Sequence, residues 1–191
     1  MITSKKWGLL LSTAISVIAL DQWSKYLVRT DTSWQYFDII KGWLAFHYTQ
    51  NPGMALGIDW LPTQVIGSIT TIAIIFITIY LIKLATTANM GQIFCFGLII
   101  GGALGNIFDR MFMGIIQDRG GFMDGHVVDF IHFTLRINTW DVFPYIFNVA
   151  DVAISCAVIS MFLFYKHLMP EEFKNTKPTP TPVDDISIEE N

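Results

Sequence analysis

The placement of charged residues constrains the fold of this sequence more than any other feature. The stretch Trp60–Ile82 has 23 residues without a charge, and Leu84–Phe108 has 25. A third stretch, Val142–Tyr165, has 24 residues and a single charge, Asp151. A helix needs roughly 20 mainly apolar residues to cross a membrane, so each stretch can span a bilayer. Only 15% of all residues are charged, against about 25% in soluble domains, and their segregation favours membrane spans.

A fourth apolar segment lies near the N-terminus. Trp7–Leu20 carries no charge, and the apolar pattern continues to Val28. Two lysines ahead of a short apolar run also resemble a cleavable signal peptide. No small-residue cleavage site follows the run, and Cys95 and Cys156 both lie inside later spans, so there is no lipobox. We therefore interpret the segment as a retained first span and the cysteines as small core residues.

These patterns predict a membrane protein with an all-α core of four transmembrane helices, at about 7–28, 63–84, 90–110 and 143–166. Between the first two helices, Trp43–Thr49 favours a strand and Asn51-Pro52-Gly53 a turn. We expect a small β-sheet there, lying on the membrane surface with its aromatic residues at headgroup level. The domain should cover residues 1–169, followed by a disordered tail, rich in Pro, Thr and acidic residues, over 170–191.

Four spans place both termini on one side of the membrane. Basic residues divide evenly, six on the terminal side and six on the other, but Lys25 and Arg110 of the second group lie within or at the edge of helices. This leaves a slight bias toward cytoplasmic termini and a cytoplasmic tail. The net charge of −4 comes largely from the acidic tail, so the composition indicates no nucleic-acid partner.

Several polar residues interrupt the predicted spans. An ionisable group inside a membrane costs about 2.5–3.5 kcal/mol, so each one needs a reason. They lie at one end of helices one, three and four, which a four-span topology brings to one side, with Asp151 about 12 Å into helix four. The two uncharged residues, Asn106 and Asn148, most simply form hydrogen bonds between helices, and contact with substrate is the alternative. The group is Asp21, Lys25, Asn106, Asp109, Arg110, Asn148 and Asp151.

The charged members of this group have structural explanations of different strength. Asp21 and Lys25 are spaced i, i+4, which favours an ion pair on one helix face. Asp109 and Arg110 are neighbours that point in different directions, so each should tie helix three to another element, and Arg110 is either structural or substrate-orienting. Asp151 has no basic residue within one turn of its own helix, which favours a functional role.

A second acid could meet Asp151. Asp129 lies in the short apolar stretch Val127–Ile131, where by itself a capping or surface role is the simplest explanation. If that stretch folds back over the mouth of helix four, the two carboxyl groups would come close and share one proton. One would then act as a base on water and the other as an acid on a peptide carbonyl, which is the chemistry of aspartic peptidases.

Five short motifs follow one another along the chain from residue 21 to about 155. No single motif is as specific as the ordered set. The motifs are Asp21-Gln22-Trp23-Ser24-Lys25, Asn51-Pro52-Gly53-Met54-Ala55, Gly101-Gly102-Ala103-Leu104-Gly105-Asn106-Ile107-Phe108-Asp109-Arg110, Val127-Val128-Asp129-Phe130 and Phe147-Asn148-Val149-Ala150-Asp151. In this order they resemble the motifs of lipoprotein signal peptidases, also called signal peptidase II.

The resemblance implies a four-span enzyme of the bacterial cytoplasmic membrane with a periplasmic surface sheet. Asp129 and Asp151 would be its catalytic aspartates. The substrate would be a diacylglyceryl-modified prolipoprotein, cut just before the lipid-bearing cysteine. No metal or cofactor is expected, globomycin should inhibit, and we expect a monomer in contact with membrane lipid. The matched residues that would line or brace the site are Asp21, Lys25, Asn51, Gly53, Asn106, Asp109, Arg110, Asn148 and Ala150.

The sequence departs from the family pattern in two places. Leu56 replaces an aromatic residue that is common after the turn motif, and the segment 111–126 is longer than expected. That segment is predicted to be an extra lid or surface loop. It contains Asp118 and Asp124, which lie outside the motif context of Asp129.

Two other functions fit parts of the sequence. The spacing His126-x-x-Asp129-x-x-His132, with His47 elsewhere, could supply zinc ligands, but no HExxH helix is present. Buried acids and a buried lysine also mark proton-coupled transporters. A transporter is disfavoured because the sequence has no internal repeat and its polar layer lies near one membrane face.

Overall fold

The computed structural model describes residues 2–53 and 61–164. In these ranges the chain forms four long α-helices, and a short 3₁₀ turn, Thr32–Trp34, follows the first. The predicted tail, the end of the fourth predicted span and two residues of the turn motif, Met54 and Ala55, lie outside the described ranges. The helices are α1 (Ser4–Thr30), α2 (Thr63–Leu84), α3 (Met90–Ile116) and α4 (Val149–Leu163).

Three helices follow the prediction closely. The bounds of α2 are those predicted, and α1 is a few residues longer at each end. Helix α3 begins at Met90, where Asn89 caps it by accepting a hydrogen bond from the Gln92 amide, and it continues to Ile116. The first part of the long segment 111–126 is therefore helical, and only 117–126 forms a loop.

The predicted start of the fourth helix is wrong. Helix α4 begins at Val149, so Asp151 lies in its first turn and not about 12 Å along it. Asn148 explains the boundary. Its side chain accepts a hydrogen bond from the backbone amide of Asp151, and the Asp151 carboxyl group accepts one from the backbone amide of Asn148. This reciprocal capping pair satisfies backbone donors that a helix start leaves free, and the apolar residues before it are extended.

The small antiparallel sheet is confirmed, and it includes more of the chain than predicted. Its order is β1-β2-β3-β6, while β4 and β5 form a separate hairpin. The stretch around Asp129, predicted only to fold back, is a strand of the sheet, with Thr49 opposite Asp129 and Ile131 opposite Phe147. The strands are β1 (Tyr36–Ile40), β2 (Leu44–Asn51), β3 (Val127–Phe133), β4 (Arg136–Ile137), β5 (Trp140–Asp141) and β6 (Ile146–Phe147).

Helix α3 packs closely against both α1 and α4 through glycines. A Cβ atom on Gly101 would lie 2.7 Å from the Ala14 carbonyl oxygen of α1. A Cβ atom on Gly102 would lie 2.5 Å from the Ala150 carbonyl oxygen of α4. Small residues allow helix backbones to approach at this range. The approach brings the polar residues of the three helices within hydrogen-bonding distance of one another.

The helices differ in how much apolar surface they bury. Within the described ranges, α2 and α3 are long and apolar enough to cross a membrane by length and composition, while α4 is a shorter apolar helix. Only 11% of the most apolar window of α2 is buried, against 61% for α3. Most residues of α2 are therefore exposed or only half-buried, which suits a lipid environment better than water.

Candidate active site

A cavity of about 520 Å³ opens where the ends of β2 and β6 meet β3, α3 and α4. Five of the predicted site residues line it: Asn51, Asn106, Arg110, Asp129 and Asp151. The other predicted site residues lie behind or beside this cavity wall. The remaining lining residues are Thr49, Gln50, Pro52, Val127, Pro144, Tyr145 and Ile146.

Asp129 lies on β3 between two buried apolar residues and is itself only 3% exposed. Its two carboxyl oxygens accept hydrogen bonds from side-chain amides on opposite sides. The Asn51 Nδ2 atom donates to Oδ2 at 3.0 Å, and the Asn148 Nδ2 atom donates to Oδ1 at 2.6 Å. The carboxyl group is therefore held from both the β2 side and the α4 side.

The backbone after β2 orients Asn51. The Gly53 amide donates to the Asn51 Oδ1 atom at 2.9 Å, which leaves Nδ2 directed toward Asp129. Gly53 has a φ of +112°, a conformation that side chains disfavour, and a Cβ atom there would lie 2.6 Å from Ile66 Cγ2. A glycine two residues after the asparagine is thus required by both the turn and the packing.

Asp151 is held by the first turn of α4 and by α3. Its Oδ1 atom accepts a hydrogen bond from Asn106 Nδ2 at 2.9 Å, and its Oδ2 atom accepts one from the backbone amide of Asn148 at 3.2 Å. The side chain is partly exposed to the cavity. Asp151 is therefore fixed in position by two helices while it remains accessible from the cavity.

Asn148 connects the two aspartates. Its Nδ2 atom donates to Asp129 and also to Asn106 Oδ1 at 3.1 Å, while its Oδ1 atom accepts from the Asp151 amide at 3.0 Å. Asn148 is fully buried, so these bonds are not exchanged for bonds to bulk water. The two acids therefore line one cavity and share one hydrogen-bonding neighbour.

The surroundings of Asp129 favour its protonated form. Burial is the largest cause and the nearby charge of Asp151 the second, and together they raise the pKa of Asp129 to about 7. Hydrogen bonds from Asn51 and Asn148 and the positive charge of Lys25 act in the opposite direction without offsetting the burial. Near neutral pH, a proton is therefore available on Asp129.

A buried charge cluster lies behind the cavity. Lys25 Nζ is 2.8 Å from an Asp21 oxygen and 2.9 Å from an Asp109 oxygen, and it donates to Asn106 Oδ1 at 2.9 Å. The three charged side chains are at most 1% exposed. The predicted i, i+4 pair is present, and Asp109 of α3 joins it. Removing one partner from such a cluster is costly because an uncompensated buried charge remains.

The two acids of this cluster bind backbone next to the aspartates of the cavity. Asp21 Oδ1 accepts a hydrogen bond from the Ala150 amide at 3.0 Å, one residue before Asp151. Asp109 Oδ2 accepts one from the Val128 amide at 3.1 Å, one residue before Asp129. The cluster therefore positions the backbone of both α4 and β3.

Gln22 was not among the predicted site residues, yet it completes the cluster. Its Nε2 atom donates to Asp109 Oδ1 at 2.9 Å, to the Gly105 carbonyl at 3.1 Å and to Asp21 Oδ2 at 3.2 Å. The sequence feature that could have identified Gln22 as a site residue is its position beside Asp21 in the first motif. Its role depends on the close approach of α1 and α3, which sequence spacing does not reveal.

Arg110 has a different environment from the rest of the site. It lines the cavity, and its buried Nη1 atom has no hydrogen-bond partner among the described residues. A guanidinium N–H without a protein partner can donate a hydrogen bond to an oxygen of a ligand. Arg110 therefore has a donor available for a group that enters the cavity.

The alternative zinc ligands are not brought together. His132 contacts His47, with ring centroids 5.6 Å apart, while His126 lines a separate small cavity with Asp124. Within residues 2–53 and 61–164, no group of three or more His, Cys, Asp or Glu side chains is arranged to hold a metal ion. Asp118 and Asp124 do not line the 520 Å³ cavity, so neither competes with Asp129 as an active-site acid.

Comparison with known proteins agrees with these motifs. A sequence profile of the family described as signal peptidase (SPase) II matches residues 13–167. A lipoprotein signal peptidase of Chlorobium phaeovibrioides is 34% identical, covering 82% of this chain and 89% of that protein. One from Streptomyces griseus is 37% identical, covering 85% and 76%. A solved bacterial membrane enzyme has a TM-score of 0.65 at 27% identity, covering 91% of this chain and 94% of the other.

Substituting Lys25 tests the buried cluster. Lys25→Met should destabilise the protein by about 3–5 kcal/mol, because Asp21 and Asp109 lose the charge that compensates them. Lys41→Met, at an exposed turn, is the matched control and should leave stability within about 0.5 kcal/mol of wild type. Thermal unfolding of both purified variants in one detergent measures the difference. Equal stability of the two variants would contradict a bracing role for the cluster.

Proposed function

The chain belongs to the signal peptidase II family, and from this membership we propose that Asp129 and Asp151 are the catalytic pair of an aspartic-type endopeptidase. The activity of the family, processing of prolipoproteins, is the activity of this chain. The observation that carries the proposal is the sharing of Asn148 by two acids that line one cavity. Two linked carboxyl groups can divide the roles of acid and base.

We assign the proton to Asp129 and the negative charge to Asp151. Asp129 is almost fully buried, and its pKa of about 7 keeps a proton available near neutral pH. Asp151 is the other member of the pair, is partly exposed and lines the cavity, so we assign it the unprotonated role. Asp151 is then the general base and Asp129 the general acid.

The proposed reaction uses one water molecule. Asp151 takes a proton from the water as the water oxygen bonds to the scissile carbonyl carbon, and Asp129 donates its proton to the carbonyl oxygen. The resulting tetrahedral diol collapses when Asp151 passes its proton to the amide nitrogen and the C–N bond breaks. A diol hydroxyl returns its proton to Asp129, so both acids recover their starting states.

The position of the site suits a substrate anchored by lipid. The cavity lies between the C-terminal part of α3, the start of α4 and the sheet. Exposed tryptophans lie in the turn between β1 and β2, Trp43, and in the separate β4–β5 hairpin, Trp140. Such side chains favour the membrane–water boundary. In the proposed substrate, the cysteine directly after the scissile bond carries diacylglycerol, and this lipid would hold the bond at the membrane–water boundary. We infer that the enzyme cuts the peptide just before that cysteine. We also infer that the chain crosses the membrane four times with both termini in the cytoplasm, and that globomycin-type inhibitors bind in the same cavity.

Replacing either acid by its amide tests the catalytic pair. Asp129→Asn and Asp151→Asn should each lower kcat by about 10³-fold or more, since each removes an acid–base group. Asp38→Asn, on exposed strand β1, is the control and should retain wild-type activity. The measurement is cleavage of a diacylglyceryl-modified prolipoprotein by purified protein whose folding is checked by thermal unfolding. If either single variant is folded and has activity near that of the wild type, the proposed catalytic pair is wrong.

The pH dependence follows from the environment of Asp129. Because its pKa is raised to about 7, its acid form persists through the weakly acidic range and is lost as the pH rises past that value. We therefore expect kcat/KM to fall above about pH 7, tenfold per unit at the steep part of the limb. A pH profile in fixed detergent or lipid measures this limb. Activity that stays constant from neutral pH into the alkaline range would contradict the assignment of the proton.

A further inference from the structure

The loop 117–126, which the motifs do not explain, folds back along the last turns of α3. The Arg119 amide donates to the Gly114 carbonyl at 3.0 Å, and the Met123 amide donates to the Met111 carbonyl at 3.2 Å. The Gly125 amide donates to the Arg110 carbonyl at 3.0 Å. These bonds are spread along the loop, so its backbone is anchored and does not hang free from the helix end.

The packing against α3 leaves no room for side chains at the contacts. A Cβ atom on Gly114 would lie 2.6 Å from the Gly121 carbonyl oxygen of the loop. A Cβ atom on Gly125 would collide with the Asp109 carbonyl oxygen, and Asp109 is the residue that binds the β3 backbone. The loop is therefore seated directly on the helix segment that supports the candidate catalytic strand.

From this seat the loop reaches β2 through polar side chains. Arg119 Nη1 donates to Gln50 Oε1 at 2.6 Å, and Gln50 Nε2 donates to Gln117 Oε1 at 3.0 Å and to the Tyr48 hydroxyl at 2.6 Å. Both ends of the Gln50 amide are thus occupied, with Arg119 and Gln117 both contributed by the helix–loop junction. Gln50 lies between two cavities, the 520 Å³ cavity and a smaller one of about 250 Å³ under the loop.

The end of β2 lies beyond an irregularity in the sheet. The register between β2 and β3 is irregular between Phe46 and Thr49, so the last three residues of β2 pair beyond that irregularity. The last of these is Asn51, which donates to Asp129. A displacement of this strand end would lengthen the bond between Asn51 and Asp129 directly.

We propose that loop 117–126 is a positioning element for the active site, in which Arg119 and Gln117 hold Gln50 and thereby aim Asn51 at Asp129. The inference rests on the proposed function. Arg119 is itself exposed and does not line the 520 Å³ cavity, so it acts through Gln50 and touches no reacting atom. Misplacement of a catalytic group by a fraction of an ångström has a large effect on the rate of the chemical step.

The position of Asn51 has a signature besides the rate. Its hydrogen bond lowers the pKa of Asp129. The charged groups that also act on this acid are Asp151, Lys25 and Arg110, and none of their side chains is among those that bond to Arg119 or Gln50 in the described residues. If the loop releases Asn51, the acid form of Asp129 persists to higher pH. The alkaline limb of the activity profile then moves upward, which a simple loss of folded protein does not cause.

Arg119→Met is the test variant, because it keeps much of the side-chain length and removes the donors to Gln50. We expect kcat to fall about fivefold to tenfold, KM to stay within about twofold, and the alkaline limb to rise by about half a pH unit. Arg119→Lys keeps one charged donor and should recover most of the rate. Arg136→Met is the matched control, since Arg136 is an exposed arginine paired with Asp141 in the β4–β5 hairpin. It should leave kcat and the limb unchanged.

Two results would overturn the proposal. One is an Arg119→Met enzyme with wild-type kcat and an unmoved limb. The other is activity lost only in proportion to folded protein, with the limb again unmoved, which would make the loop a stabilising element alone. The Asp129→Asn and Asp151→Asn variants test the catalytic pair separately, because their outcome does not depend on the loop.

Discussion

The ion cluster of Lys25 with Asp21 and Asp109 is the interaction on which the rest of the site depends. It joins α1 to α3 in a place from which water is almost excluded, so no member can be lost without leaving a buried charge. The same two acids bind the amides of Ala150 and Val128, the residues just before Asp151 and Asp129. One cluster therefore sets the backbone position of both proposed catalytic residues.

Neutral amides, and not further charges, connect this cluster to the cavity. Asn106 accepts from Lys25 and donates to Asp151, Asn148 contacts both aspartates, and Asn51 holds Asp129. A cation placed directly on Asp129 would favour its ionised form and remove the proton that the proposed reaction needs. The asparagines fix the geometry of the carboxyl groups while burial still raises the pKa of Asp129. The asparagines thus fix the position of Asp129 and lower its pKa somewhat, while burial keeps the acid form available near neutral pH.

The sequence predicts the helices better than the contacts between them. Charge-free runs located α2 with its observed bounds, since hydropathy reports burial or lipid contact directly. Hydropathy did not locate the start of α4, because apolar residues before Asn148 are equally suited to an extended segment. The spacing Asn148-x-x-Asp151 was a capping signal that could have corrected it. The i, i+4 spacing predicted the ion pair of Asp21 and Lys25 in α1. The contact of Asp109 with Lys25 and the pairing of β2 with β3 join residues distant in sequence, so spacing did not predict them.

The central claim is that the proposed catalytic pair carries one proton near neutral pH and that Asp129 holds it. Infrared difference spectra recorded through a pH titration measure this directly, because a protonated carboxyl group has a C=O stretching band that a carboxylate lacks. We expect one carboxylic acid band that disappears near pH 7 in the wild-type protein and is missing in Asp129→Asn. A band with the same titration in Asp129→Asn, or no band lost near that pH in the wild type, would contradict the account.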